Sequence, residues 1–185
     1  NRVVYDVYDV MTGRCRIKQA TMQDKRFKNL SIIASPPKKN EGEITPLHMK
    51  VMCDKLKKTY DYILIDGPSG IEDGLVIASA GADEVLIVTS PEYAALRDAE
   101  AVDRYMEALG VSGRYLIINK VKVDFIKAGY TLAISEISSM FRIEIIGIIQ
   151  YDDNINISTN VGIPIVCKKD TYISNNFKKI CANIE

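Results

Sequence analysis

The 185-residue sequence has no net charge, a single histidine, four scattered cysteines and no long apolar run, and each scarcity removes a class of function. Lysine and arginine together number 24, as do aspartate and glutamate. No global basic field exists to draw in nucleic acid, and there is no strongly acidic tail. No apolar run approaches the roughly 18 residues needed to cross a bilayer, and no secretory leader is visible. Cys15, Cys53, Cys167 and Cys181 form no C-x-x-C pair. That argues against a zinc or redox motif and for free, partly buried thiols in a reducing cytoplasm. The lone His48 falls in a predicted helix without catalytic neighbours and reads as a surface residue. The pattern G-x-x-x-x-G-K-[ST] occurs nowhere, so these residues lack both the backbone cradle and the lysine of a phosphate-binding loop.

What is present is the composition of an ordinary folded chain, 47% hydrophobic and 26% charged. The length suits one domain with a sizeable core. Five short runs rich in Ile, Val and Leu, at 30–34, 62–65, 85–88, 115–118 and 145–149, alternate with helical stretches. They show no in–out alternation, as expected of parallel strands covered on both faces. Thr45 as N-cap and Pro46 in the first turn begin a predicted helix that runs to about Lys58. Ser90-Pro91-Glu92 repeats the device, with the Glu92 charge favourable in the first turn. Leu96, Ala99, Val102, Met106 and Leu109 then fall on one helical face, and Gly110 ends the helix. Further helices are predicted over 132–141 and 154–160 and from Ser174 onward.

This alternation predicts a doubly wound, mostly parallel α/β sheet with helices on both faces, in a single domain over 1–185. The polar stretch 35–43 reads as a surface connection. Val3-Val4-Tyr5 is already core-like and the last helix has no closing signal, so both ends look cut.

In Asp61-Tyr62-Ile63-Leu64-Ile65-Asp66-Gly67-Pro68-Ser69-Gly70 an apolar run drives into a carboxylate and then a turn. The carboxyl end of such a strand is where open α/β sheets bind ligands. From there a nucleotide-binding ATPase holds magnesium, directly or through a water. A carboxylate at a buried strand end is costly unless a cation or donors face it. Gly67 and Gly70 let the backbone turn sharply and approach a phosphate. An Asp66 that simply caps the next turn is the alternative.

Asn119 ends the run 115–118 and carries both a donor and an acceptor, suiting it to a purine edge. Guanine-binding proteins use Asn-Lys-x-Asp at a similar place. Here Lys122 replaces the acid, which favours adenine, and a turn-forming Asn119 is the alternative. Gln150-Tyr151-Asp152-Asp153 falls at another carboxyl edge where it could line a base pocket. Its acids also suit an N-cap for the next helix, the preferred reading. Arg97 and Asp98 read as a solvated helix face, with partner binding the lesser alternative.

Taken together these residues resemble the MinD family of septum site-determining ATPases, in the deviant-P-loop group that also holds the ParA partition ATPases. The resemblance runs through Asn1-Arg2-Val3-Val4-Tyr5-Asp6, the blocks at 13–20, 24–27, 60–72 and 80–83, Val88-Thr89-Ser90-Pro91-Glu92, Leu96-Arg97-Asp98-Ala99-Glu100, Leu116-Ile117-Ile118-Asn119-Lys120 and residues 157–164. It implies an intact protein that binds ATP with Mg²⁺, hydrolyses it, and dimerises with it across the nucleotide face. It also implies recruitment of the inhibitor MinC and stimulation by MinE where present, while the neutral charge argues for no nucleic-acid partner. The protein would be cytoplasmic and peripheral to the inner face of the cell membrane, held there by an amphipathic helix beyond Glu185.

On this resemblance Asp66 matches the Walker B aspartate, reaching magnesium through a water, with Gly67 and Gly70 beside it. Asn119 matches the adenine-contacting Asn, Tyr151 and Asp152 lie in the base-pocket loop, and Arg97 and Asp98 fall in a helix implicated in partner binding. Three features depart from the family. Its phosphate loop and first switch lie upstream of Asn1, Gln150 stands where Pro is usual, and Ala133-Ile134-Ser135-Glu136 replaces an acidic stretch. The 185 residues alone are therefore expected to hydrolyse no ATP and to leave apolar strand edges unpaired. The alternatives are a ParA-like partition or flagellar-number ATPase and a non-catalytic scaffold that kept the fold.

Overall fold

The computed structural model describes residues 4–35, 44–168 and 171–184, so the predicted connection at 35–43 lies almost wholly outside the described residues. The chain forms two compact units, Asn1–Ala82 and Asp83–Glu185.

The first unit contains α1 (Val7–Met11), α2 (Ile17–Ala20), β1 (Met22–Gln23), β2 (Ser31–Ile32), α3 (Pro46–Leu56) and α4 (Asp73–Ser79). Asp6 caps α1 by accepting the Tyr8 and Asp9 N–H groups at 2.9 and 3.1 Å, while the Asp9 carboxylate accepts the Asp6 N–H at 3.2 Å. This reciprocal box explains how a five-residue helix holds its N-terminus. In α3, Pro46 opens the first turn as the sequence predicts, and the Thr45 N–H donates to Nδ1 of the exposed His48 at 3.1 Å. Met49, Met52, Cys53 and Leu56 form the buried face of α3, against which Val7, Ile33, Ile63, Ile65 and Ile77 pack.

Two predicted strands differ here. The run at 30–34 yields only β2, paired antiparallel with β1 over two residues, Met22 with Ile32 and Gln23 with Ser31. The run at 62–65 forms no strand, and among the described residues none of its backbone groups joins a ladder. Burial of both faces needs an element on either side, and only the Ile63 and Ile65 side meets one. Tyr62 and Leu64 stay 67% and 89% exposed.

The second unit contains β3 (Glu84–Thr89), α5 (Tyr93–Ala108), β4 (Gly113–Val121), α6 (Val123–Lys127), α7 (Ile134–Met140), β5 (Glu144–Gln150), α8 (Asp153–Val161), a 3₁₀ turn (Ile165–Cys167) and α9 (Tyr172–Ile184). The strands form one parallel sheet in the order β3-β4-β5. Ile87, Leu116 and Ile118 of the sheet pack with Leu96 and Ala99 of α5 and Ile137 of α7. Ile117, Ile146 and Ile149 pack with Ile173 and Ile180 of α9 in a separate cluster. Alternate residues of β4 thus serve cores on opposite faces, which is why its central run at 115–118 is apolar without a break.

Helix α5 begins later than predicted. Glu92 holds the N-cap position and its carbonyl accepts the Leu96 N–H at 3.0 Å, while Pro91 is buried in the approach. Gly110 closes the helix as predicted, at φ +82°, with the Val111 N–H on the Met106 carbonyl and its own N–H on Glu107. That is a Schellman motif, for which glycine is the favoured residue. Leu109 lies past the helix end and is half-exposed rather than on the packed face. Arg114 of β4 ties back to α5, with Nε 2.7 Å from Asp103 Oδ1 and Nη2 3.2 Å from Glu107 Oε1.

Two bulges interrupt the β4–β5 ladder. The register steps from Leu116 with Ile145 to Ile117 with Gly147, which places one extra residue on β5. It then steps from Ile118 with Ile148 to Val121 with Gln150, which places one extra residue on β4. Helix α9 lies along β5, where the Asn183 and Asn176 side chains donate to the Ile146 and Ile148 carbonyls at 2.7 and 2.8 Å. These bonds occupy acceptors of a strand that ends the sheet order.

Candidate functional site

Asp66 follows the apolar run at 62–65 in the first unit. It is exposed and its carboxylate has no hydrogen-bond partner among the described residues, so the expected cost of a buried carboxylate does not arise. With Gly67 and Pro68 it lines an open, mainly apolar cavity of about 1570 Å³ together with Met49, Met52 and Asp73. Gly70 takes φ +80°, a left-handed conformation that favours glycine. At Gly67 an added Cβ would sit 3.7 Å from Ala78 Cβ, an ordinary contact, so this position does not demand glycine on space alone.

Among the described residues no group of three or more His, Cys, Asp or Glu could enclose a metal ion. A lone, unengaged carboxylate fits magnesium, which keeps several waters and takes one or two carboxylates plus phosphate oxygens, and it does not fit a closed protein cage.

Asn119 lies within β4 rather than at its end, because the strand continues to Val121 through the second bulge. The bulge has a local cause. Asn119 Oδ1 accepts the Lys120 N–H at 2.8 Å, and Lys120 takes φ +56°, the one positive φ at a non-glycine position among the described residues. The side-chain oxygen is thereby engaged and the NH₂ group keeps its two donors. The turn-forming alternative and a donor role are both compatible with this geometry.

The Tyr151 N–H donates to the Val121 carbonyl at 2.9 Å, so the strand end that carries Asn119 and the turn that carries Tyr151 and Asp152 stand side by side. The Lys122 ammonium lies 4.3 Å from the Tyr151 ring centroid and 4.8 Å from that of Phe125. Phe125 in turn meets Tyr130 edge to face at 5.9 Å. The Tyr151 hydroxyl donates to Asp153 Oδ1 at 2.7 Å, a bond that raises its pKa above the usual tyrosine value.

Asp152 is the N-cap of α8, as the sequence favoured. Its Oδ1 accepts the backbone N–H and the side-chain NH₂ of Asn154, both at 2.8 Å, and its Oδ2 accepts the Tyr172 hydroxyl. The Tyr172 bond, followed by the Asn154 bond, holds the Asp152 carboxyl below its ordinary pKa. Neither the Tyr172 contact, twenty residues away in sequence, nor the Lys122 contact leaves a sequence signature.

Arg97 and Asp98 are exposed on α5, with no ion-pair partner among the described residues. The thiols are not uniformly shielded. Cys53 is buried and Cys15 half-buried, whereas Cys167 and Cys181 are exposed. Burial, then Asp9 and Asp6, push the Cys15 thiol up. Among the described residues no helix is long and apolar enough to cross a membrane.

A parallel sheet flanked by helices, with polar side chains gathered at its carboxyl edge, makes this an α/β fold, and its likeness to solved MinD structures makes it one of the P-loop NTPase type. Residues 1–114 match the AAA domain family. The septum site-determining protein MinD of Bacillus subtilis is 34% identical over 186 aligned residues, covering 100% of this chain and 69% of that protein. The solved MinC:MinD cell division protein complex of Aquifex aeolicus superposes with a TM-score of 0.91 at 33% identity, covering 100% of this chain and 74% of that one. MinD from Pyrococcus horikoshii, solved in complex with Mg-ADP, shares the fold, with a TM-score of 0.86, 22% identity and coverage of 100% and 75%. This chain belongs to the MinD family of septum site-determining proteins. It spans about three fifths of the length of the first curated relatives it matches.

Proposed function

We propose that this chain is the larger part of an ATPase that governs placement of the division septum, and that residues 1–185 belong to one nucleotide-binding domain. The observation that carries the reading is the side-by-side arrangement of Asn119 and the Tyr151–Asp152 turn, in a chain of the MinD family. Asn119 presents its NH₂ donors to an acceptor on the adenine edge, and the turn bounds the base. Asp66 holds magnesium, through a water, beside a backbone that Gly67 and Gly70 keep close to the phosphates. Bound Mg²⁺ neutralises charge on the transferred phosphoryl group.

Arg97 and Asp98 present an exposed polar face to a MinC-like inhibitor, and a MinE-like activator stimulates turnover. The protein pairs with a second copy when ATP is bound and reaches the inner face of the cell membrane through an amphipathic helix outside these residues. The exposed Tyr62 and Leu64 side of the run at 62–65 is covered by a strand that these residues do not supply. The 185 residues alone hydrolyse no ATP, because they contain no phosphate-loop lysine.

Phosphate release by the full-length protein tests this. Magnesium-dependent ATP hydrolysis is expected, with a loss of at least about a hundredfold in Asp66→Ala. Hydrolysis undiminished in that variant, or phosphate release by the isolated 185-residue chain, would overturn it.

A further inference from the structure

Among the described residues, helix α9 makes three side-chain hydrogen bonds to β5 and the turn that follows it. Two of them, from Asn183 and Asn176, end on backbone carbonyls of the strand itself. The third is different. The Tyr172 hydroxyl, in the first turn of α9, reaches past the strand to Oδ2 of Asp152, in the turn that follows β5. We propose that Tyr172 is a positioning residue for nucleobase binding, its hydroxyl fixing the Tyr151–Asp152 turn from the side of α9. The inference rests on the assignment of that turn to the base pocket.

Asp152 has two carboxylate oxygens and they serve different neighbours. Oδ1 takes both Asn154 donors and so belongs to the cap of α8. Oδ2 is left for Tyr172, and a hydrogen bond to a charged acceptor is among the stronger side-chain contacts. The carboxylate therefore cannot rotate to follow one helix without leaving the other. Its neighbour Tyr151 is restrained independently, by its N–H on Val121 and by the Lys122 ammonium on its ring. Without the Tyr172 hydroxyl the cap on α8 survives, but Asp152 is released from α9 and the turn is held from one side alone. Tyr172 is half-exposed, so removing its hydroxyl opens no cavity in the core.

The hydroxyl acts on the base and not on the phosphates, which sets the experiment. Affinities for ADP, GDP and inorganic tripolyphosphate are measured by calorimetry on the full-length protein, for the wild type, Tyr172→Phe and Asn176→Ala. Tyr172→Phe should weaken ADP about three- to tenfold and leave tripolyphosphate unchanged, the size expected of one charge-assisted bond. Asn176→Ala loosens α9 from β5 without touching the turn, so it should lower the melting temperature and leave the ratio of ADP to tripolyphosphate affinity unchanged. An unaltered ratio in Tyr172→Phe overturns the inference. So does an equal fall in both variants, which would trace the effect to α9 packing at large. Equal affinity of the wild type for ADP, GDP and tripolyphosphate would instead bring down the base-pocket assignment itself.

Discussion

Gly147 and Ile180 sit so close that a Cβ added to the glycine would lie 2.2 Å from Ile180 Cγ1 and 2.6 Å from Cδ1. Helix α9 can lie flat on β5 only because this position has no side chain. The isoleucine is 6% exposed and has little room to withdraw. Gly147→Ala should cost about 1–3 kcal/mol through overpacking. Urea unfolding measures this, and Ile180→Val in the same background should recover part of the loss, because it removes Cδ1.

Asp103 and Arg114 are each only 12% exposed along their side chains and meet at 2.7 Å. The Asp103 bond, more than any other contact, raises the Arg114 pKa above its usual value, although burial opposes it. Arg114→Ala would leave Asp103 largely desolvated without its cation and should destabilise the protein by roughly 3 kcal/mol. Replacing both, as Asp103→Leu with Arg114→Met, should cost distinctly less, since no uncompensated charge remains. Chemical denaturation of the two variants and the double variant decides this.

Asn119 has a structural duty at the bulge alongside its proposed part in binding, and two substitutions separate them. Asn119→Asp keeps the oxygen that accepts the Lys120 N–H and loses the NH₂ donors. Its melting temperature should stay near that of the wild type while ADP affinity in the full-length protein falls about tenfold. Asn119→Ala loses both and should in addition destabilise the fold by about 1–2 kcal/mol, because the Lys120 N–H is left without its acceptor.

The Asp152 carboxyl should titrate below 3.8 in the folded protein, chiefly because of the Tyr172 bond and next because of Asn154. A carboxyl with a depressed folded value supplies stability that is present above 3.8 and is lost as pH falls through the folded value. Carbon-detected NMR of the side-chain carboxyl should show that low midpoint, and Tyr172→Phe should move it upward. The Tyr172 hydroxyl should correspondingly titrate above 10, chiefly because its proton is held in the hydrogen bond to Asp152.

The strands and helices of the second unit were legible because their signals are local. The apolar runs at 85–88, 115–118 and 145–149 become β3, β4 and β5, and Gly110 stops α5 as its position suggests. The run at 62–65 misleads because apolar composition records what a segment needs to bury, and a ladder partner is a property of other segments. The same limit hides Asn119's place inside a strand. Nothing in Ile118-Asn119-Lys120 announces that Lys120 will turn to φ +56° and let the chain continue pairing. Helices α1, α2, α4 and α6 are not foreseen by the sequence; α1, α2 and α6 carry too few residues for a period to show, and α1 depends on the Asp6–Asp9 box. Tyr172 was invisible because its significance lies wholly in a contact across the fold.

The paired bulges of β4 and β5 form a vernier. Each strand carries one residue more than its neighbour over a short interval, in opposite order, so the offset opened at Ile146 is closed again by Val121 and Gln150. A single-residue deletion in either strand would throw every later residue onto the wrong face. Matched deletions, one at each bulge, would leave the two strand ends level. Length change in this sheet is therefore a correlated event, and related chains should gain or lose the two bulges together.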